Sequence, residues 1–153
     1  MLLVRFIEVQ SHFEIGWFLV ATAAGLGAVL GHIFPLFARF KGGKGVATAA
    51  GVLAGLLPLA LLPAVGVFLL VLITSGYVSL SSMIASFAVL PSYFLFSRYP
   101  EAIADISSVV LCSLLVPLVV FLHRKNIRRL ANGTENRFDR VRIFAKAKDH
   151  KRK

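Results

Sequence analysis

The sequence predicts an all-α protein, a polytopic transmembrane helix bundle with about five helices. Apolar residues make up 58% of the 153 residues, and charged residues only 16%. Soluble domains typically contain about 45–50% apolar residues, so lipid is needed to cover the excess. Several apolar runs also approach the ~20 residues that a helix needs to cross the hydrocarbon core. A soluble globular domain is therefore excluded.

The predicted transmembrane domain covers residues 14–135. An irregular segment is expected before it at 1–13, and a basic cytoplasmic tail after it at 136–153. The first span begins beside Trp17, which suits an interfacial anchor, and basic residues follow its end. The expected helices lie near 15–37, 46–57, 60–75, 79–97 and 105–122.

The apolar run 46–74 decides the predicted topology. It is too long for one untilted span and too short for two. The basic cluster at 39–44 and the basic tail are both expected on the cytoplasmic side, which requires an even number of crossings between them. We therefore predict two helices in this run, broken near Leu57-Pro58 or at Pro63, because proline interrupts helices.

Positive charge is concentrated at the C-terminal end. Of the net charge of +10, residues 123–153 carry twelve Lys and Arg against three acidic residues, whereas residues 1–122 carry five and four. Retention on the cytoplasmic side explains a basic tail after a membrane helix. Nucleic-acid binding is the other interpretation of such a tail, and we expect no nucleic acid as a partner.

A glycine-rich segment, residues 40–46 (FKGGKGV), carries the first candidate site. Its glycines free the backbone so that N–H groups can converge, and the following helix points its positive end at the same spot. These features predict an anion site suited to phosphate, although a flexible cytoplasmic turn would explain the same residues. The spacing differs from that of the nucleotide P-loop. The candidate substrate-binding residues here are Lys41, Gly42, Gly43, Lys44 and Gly45.

Two further polar positions stand at helix ends. His32 lies near the end of the first span, where it is either a site residue or, as we favour, a packed structural group. Ser79 opens the fourth helix, where it is either a substrate-binding residue or an N-cap.

The segment after the last span carries the second candidate site. His123 and Asn126 are three residues apart, so both should face one side of a continuing helix. A histidine beside an amide can act as base and orienter, and Arg124 can bind an anionic substrate. Gly133 is expected to stop this helix. Glu135 is expected to be structural, pairing with a neighbouring arginine. A basic helix end without chemistry is the simpler alternative.

Other chemistry has little support in the sequence. The single cysteine, Cys112, lies in an apolar run without companions that could ligate a metal. We find no nicotinamide or flavin fingerprint and no nucleophile-elbow motif. No metal or cofactor is expected.

The glycine-rich segment with its upstream Gly31-His32-Ile33-Phe34-Pro35, the Ser79 segment and the segment 123–135 together resemble one family. They are similar to the acyl-phosphate-dependent glycerol-3-phosphate acyltransferases, the PlsY family, over about residues 15–136. This resemblance implies acyl transfer from acyl phosphate to the 1-hydroxyl of glycerol 3-phosphate, giving lysophosphatidic acid and phosphate. It implies no cofactor, and a multi-pass protein of the bacterial inner membrane with its site on the cytoplasmic side.

Within this resemblance, Gly42 to Gly45 are expected to bind phosphate. His123 and Asn126 would orient or activate the hydroxyl, or contact phosphate, and a substrate phosphate could take the proton instead. A monomer is expected. Family members also carry an earlier motif resembling Ser-Gly-Asn-x-Gly-Ala-Thr-Asn, which this sequence lacks. The alternative expectation is therefore a truncated, inactive homologue that acts as a membrane-packing partner. A transporter subunit is disfavoured because residues 46–97 contain no ionisable acidic or basic side chain.

Overall fold

The computed structural model of this protein describes residues 2–40, 42–96 and 102–138, with the side chains of residues 16–40, 42–96 and 106–138. All regular structure in this part of the chain is helical. The helices are α1 (Leu2–Ile33), α2 (Val46–Leu56), α3 (Pro58–Ser75), α4 (Val78–Phe96), α5 (Ala102–Leu122) and α6 (Arg124–Ala131), with a 3₁₀ turn at Leu36–Ala38.

Within the described ranges, three segments are long and apolar enough to cross a membrane: Gly16–Ala38, Pro58–Ser75 and Val78–Phe96. A fourth is formed if α5 and α6, which meet at a bend of 54°, are counted together. The predicted all-α transmembrane bundle is thus confirmed. The short α2 is about 16 Å long at 1.5 Å per residue, too short to span the bilayer by itself, and it buries Ala49 and Leu53 against the other helices.

The break predicted in the apolar run occurs at Leu57. This residue has φ −137° and ψ 56° and is fully buried, and Pro58 occupies the first turn of α3. A proline excludes the residue before it from the helical region and has no N–H to donate, so it ends one helix and begins the next. Pro63, the other candidate break point, lies inside α3.

Two expectations about helix continuity were wrong. The segment 1–13, expected to be irregular, is helical from Leu2 onward, because residues 2–13 contain neither glycine nor proline to interrupt α1. The helix expected to continue through His123 instead bends there by 54°. The backbone of His123 caps α6, with its carbonyl accepting a hydrogen bond from the N–H of Ile127 at 2.9 Å.

The core lies where α1, α2, α3, α4 and α5 meet. Contacts join α1 to α2 and α5, α2 to α3, α3 to α4, and α4 to α5. The fully buried side chains include Tyr93, Leu57, Leu111 and Cys112. A tight turn at Gly76, with φ 77°, folds α3 and α4 into an antiparallel hairpin. Polar residues gather at one end of the bundle, where the hairpin turn, the start of α2 and α6 lie.

This arrangement predicts which positions share one side of the bilayer. In proteoliposomes, Lys44→Cys and Asn132→Cys should react with a membrane-impermeant maleimide from the same side. Phe96→Cys, at the far end of the α4 span, should react only from the opposite side. The native Cys112 is fully buried and gives no background. Labelling of Lys44→Cys and Asn132→Cys from opposite sides would contradict the arrangement.

Candidate functional site

The Glu135 carboxylate joins three side chains from two helices. Its Oε1 accepts hydrogen bonds from the Ser79 hydroxyl of α4 at 2.7 Å and from the Asn126 amide of α6 at 2.6 Å. Its Oε2 accepts a hydrogen bond from Nε of Arg129 at 2.6 Å. Glu135 is therefore paired with a neighbouring arginine, as predicted from the sequence, while its structural role stays a prediction.

The charge of Glu135 is strongly stabilised. Burial alone would raise the pKa of this carboxyl, but the hydrogen bonds from Arg129, Asn126 and Ser79 outweigh it and lower the pKa from 4.5 to about 2. The carboxylate consequently remains ionised through the whole physiological range.

The segment that carries Glu135 is a strap, residues 134–138, lying across the α3–α4 turn. Gly133, at φ 69°, ends α6 as predicted, and the N–H of Thr134 donates to the Arg129 carbonyl at 2.8 Å. Farther along, the N–H of Phe138 donates to the Gly76 carbonyl at 2.8 Å. Arg137 donates to the Ser75 carbonyl at 3.1 Å. The strap fixes α6 against the start of α4.

The bend between α5 and α6 buries His123 and Asn126 together. Their exposed fractions are 2% and 4%. Nδ1 of His123 lies 2.8 Å from the Val119 carbonyl oxygen, and because a carbonyl can only accept, Nδ1 carries the proton. In the neutral ring Nε2 is then an acceptor. Among the described residues Nε2 has no hydrogen-bond partner. It is not one of the fully inaccessible polar atoms that lack a partner, so part of its surface is accessible.

The glycine loop, residues 42–45, folds tightly onto the end of α1. A Cβ on Gly42 would collide with the backbone carbonyls of His32 and Ile33, and one on Gly43 would collide with the His32 imidazole. Gly45 has φ 67°, a conformation that favours glycine, and it caps the N-terminus of α2. His32 thus packs over the loop, and its carbonyl accepts the N–H of Gly43 at 3.3 Å.

Lys44 stands exposed in the centre of this loop. No hydrogen bond or salt bridge holds its ammonium group to another residue in the part of the chain that is described. Partial burial lowers its pKa, and the Arg129 charge adds to this effect, while the Glu135 charge opposes it. The ammonium group therefore lies in the field of the residues around Glu135, so the two predicted basic sites converge.

An apolar cavity of about 730 Å³ extends from this loop between α2, α3, α4 and α5. Its volume falls within the ~300–1,000 Å³ of ligand pockets. The polar end is formed by Lys44, His32 and the first residues of α2, and Val119, whose carbonyl holds His123, also lines it. The body of the cavity is lined mostly by small and branched apolar side chains, including Ala50, Leu53, Ala64, Val65, Leu69, Ala85 and Val89.

Several predicted site residues, including His123, Asn126, Gly42 and Gly43, are not among the cavity-lining residues described. The Arg124 guanidinium sits over the Phe121 ring, 4.5 Å from its centroid, and is not among the cavity-lining residues described. Ser79 contacts Glu135 and does not line the cavity. Lys41 lies outside the described residues. Substrate binding by Arg124, Ser79 and Lys41 stays a prediction.

Two serines of α4 that were not among the predicted site residues line the cavity, although functional use of Ser82 was an open alternative alongside Ser79. Ser82 and Ser86 line the cavity, and each donates its hydroxyl proton to a backbone carbonyl of its own helix. With Ser79 they form a row at spacings of three and four residues, which places them on one helix face. That spacing was the available signal. No group of three His, Cys, Asp or Glu side chains in the described segments is placed to hold a metal ion.

The fold and the site define a polytopic membrane protein with a cationic glycine loop at one end of an apolar cavity. Residues 1–133 match the family model of the glycerol-3-phosphate acyltransferases, and the chain belongs to this family. A glycerol-3-phosphate acyltransferase of Salinibacter ruber is 50% identical over 114 residues, which are 74% of this chain and 49% of that protein. One from Geotalea daltonii is 43% identical over 138 residues, 88% of this chain and 66% of that protein.

Solved structures agree with this assignment. Crystal structures of PlsY (YgiH), described as an integral membrane glycerol 3-phosphate acyltransferase, match with 38% identity and cover 76% of this chain. The TM-score is 0.68 for the lysophosphatidic acid form and 0.69 for the glycerol 3-phosphate form, and the match covers 57% and 56% of those chains. This chain therefore spans between about half and two thirds of the length of the relatives named here.

The low pKa of Glu135 predicts how acid affects the fold. Because the folded-state pKa, about 2, lies below the ordinary 4.5, the ionised carboxylate stabilises the fold fully above about pH 5. This stabilisation disappears as the pH falls towards 2. Hydrogen bonds to charged groups contribute roughly 1.5–3 kcal/mol each, so Glu135→Gln should cost about 3 kcal/mol at pH 7. Thermal unfolding in detergent measures this loss.

The matched control is Asn136→Ala, one residue further along the strap, which should unfold like the wild type at both pH values. The gap between Glu135→Gln and wild type should narrow between pH 5 and pH 3. An equal gap at pH 3 and pH 7 would show that the charge of Glu135 does not hold the strap.

Proposed function

We propose that this protein transfers an acyl chain from an acyl phosphate to the 1-hydroxyl of glycerol 3-phosphate in phospholipid synthesis. The products are lysophosphatidic acid and inorganic phosphate. The observation that carries the proposal is the union of an apolar cavity of about 730 Å³ with the glycine loop and Lys44 at its polar end. A donor that joins a hydrocarbon chain to a phosphate has the same two parts. Glycerol 3-phosphate is proposed as the acyl acceptor because the family is named for it.

The acyl phosphate lies with its chain in the cavity and its phosphate at the glycine loop. The first N–H groups of α2 have no partners within the helix, and they point towards the polar end beside Lys44. Gly42, Gly43 and Gly45 allow the backbone to approach the phosphate closely, and Lys44 neutralises its charge. Arg124 adds positive charge on the same side of the membrane, and Lys41 is expected from the sequence to bind substrate as well.

His123 takes part in the transfer itself. Its Nδ1 proton is held by the Val119 carbonyl, which leaves Nε2 as an acceptor for the glycerol 3-phosphate hydroxyl proton. Asn126 donates to Glu135 through its amide group, so its carbonyl oxygen remains available to orient the substrate. Ser79 and Glu135 hold Asn126 in this orientation.

The reaction needs little acid catalysis. The 1-hydroxyl oxygen bonds to the acyl carbon, and the bond between that carbon and the phosphate oxygen breaks. The hydroxyl proton passes to His123 Nε2 and then to water or to the departing phosphate. Because phosphate is a good leaving group, positioning and charge neutralisation supply most of the rate enhancement.

We place the protein in the bacterial inner membrane as a multi-pass monomer, with the site and the tail on the cytoplasmic side. The support for the orientation is the distribution of charge, since basic clusters such as residues 39–44 and 123–153 are typical of the cytoplasmic side.

The second candidate function is that of a catalytically inactive homologue that packs with other membrane proteins. This is the alternative expected above from the absence of the Ser-Gly-Asn motif in the sequence. Turnover by the purified chain separates the two candidates.

Phosphate release tests the proposed reaction. The purified chain in detergent, given palmitoyl phosphate and glycerol 3-phosphate, should release phosphate above the blank. Lys44→Ala and His123→Ala should each lower the rate roughly 10²–10³-fold, as loss of a preorganised electrostatic group typically does. Lys125→Ala, which removes an exposed lysine of α6, should keep the wild-type rate. No release above the blank by the wild-type chain would reject the enzyme and favour the packing partner.

The cavity predicts a dependence on chain length. Ala85→Phe adds a ring to the cavity lining of α4, so it should raise KM for palmitoyl phosphate much more than for a short-chain acyl phosphate. Ile84→Phe, on the adjacent exposed position of the same helix, is the matched control and should leave both KM values unchanged. Equal effects of Ala85→Phe on both donors would contradict binding of the acyl chain in this cavity.

A further inference from the structure

The loop between α1 and α2 exposes an unusual group of large apolar side chains. Phe34 is 55% exposed, Leu36 72%, Phe37 fully and Phe40 62%. They lie within seven consecutive residues, which we call the aromatic loop (residues 34–40). In water such a patch would be costly, because each exposed ring orders solvent without any compensating contact.

The backbone holds this loop in a defined and strained shape. The Pro35 carbonyl accepts hydrogen bonds from the N–H groups of Ala38 at 3.2 Å and Phe40 at 3.0 Å. Arg39 and Phe40 have φ values of 52° and 60°, which are unusual for residues with a side chain and most unusual for a bulky one. Strain of this kind persists where the conformation has a use. Here it coincides with the exposed apolar side chains.

The position of the loop identifies what those side chains meet. The span Gly16–Ala38 ends within the loop, and Lys44 follows it, so the loop lies where hydrocarbon gives way to water. Aromatic side chains are enriched at this boundary, and exposed basic residues such as Arg39 pair with lipid phosphates there. The partner that fits both the apolar side chains and the charge is the lipid interface itself.

We propose that the aromatic loop is an interfacial anchor. It inserts Leu36, Phe37 and Phe40 into the boundary between the headgroups and acyl chains of the leaflet nearest Lys44, and keeps Arg39 at the phosphates. An anchor of this type reaches about 5–10 Å into the boundary. It fixes the glycine loop and the cavity mouth at the depth of the lipid headgroups. The proposal rests on exposure and position alone and does not depend on the proposed reaction.

Tryptophan fluorescence tests the insertion directly. Trp17 is the only tryptophan, so Trp17→Phe gives a background in which Phe37→Trp is the single emitter. In proteoliposomes of phosphatidylcholine with phosphatidylglycerol, its emission should be blue-shifted and shielded from acrylamide. Lipids brominated near the top of the acyl chain should quench it more than lipids brominated near the end.

Two matched probes in the same background calibrate the depth. Phe87→Trp, on the exposed face in the middle of α4, should be quenched most by deep bromines. Asn132→Trp, exposed after α6, should be quenched by acrylamide and not by bromines. If Phe37→Trp behaves like Asn132→Trp, the loop lies in water and the proposal is overturned. If neither bromines nor acrylamide quench it, protein covers the loop, such as a second copy of the chain, and the proposal is overturned as well.

Discussion

The arrangement of the site depends on one carboxylate. Glu135 binds Ser79 of α4 and both Asn126 and Arg129 of α6, and these contacts fix α6 after the bend at His123. Near the membrane a carboxylate and its donors have few substitute partners, so the loss of one leaves the others unsatisfied. The orientation of Asn126, and the relation of α6 to the cavity, follow from this junction.

The bend at His123 has a second consequence. A straight helix would carry the basic residues after His123 along the axis of α5, away from the glycine loop. Because α6 turns by 54°, Arg129 and Glu135 come close enough to Lys44 for their charges to affect its pKa. Two basic segments about eighty residues apart in sequence thereby form one electrostatic environment, and the mostly apolar cavity begins at its edge.

Local sequence features predicted the parts of this structure that depend on local physics. Pro58 broke the long apolar run where a proline must, and Gly133 ended α6 by adopting a positive φ. The arginine partner of Glu135 was foreseeable because opposite charges a few residues apart pair across a turn. The bend at His123 was not foreseeable, since no proline or glycine occurs there and the helical pattern continues on both sides. The helical start of α1 was missed, although residues 2–13 contain neither glycine nor proline.

The sequence by itself determined that this chain is a bundle of membrane helices, that its long apolar run breaks beside Pro58, and that Gly133 ends α6. Those properties follow from hydropathy, charge and the backbone preferences of glycine and proline, which act over a few residues. Only the tertiary structure decided that the Ser79 hydroxyl donates to Glu135, that Arg124 lies over the Phe121 ring, and that Ser82 and Ser86 line the cavity. These choices depend on helix rotation and on the angle between α5 and α6, which are set by packing between segments distant in the chain.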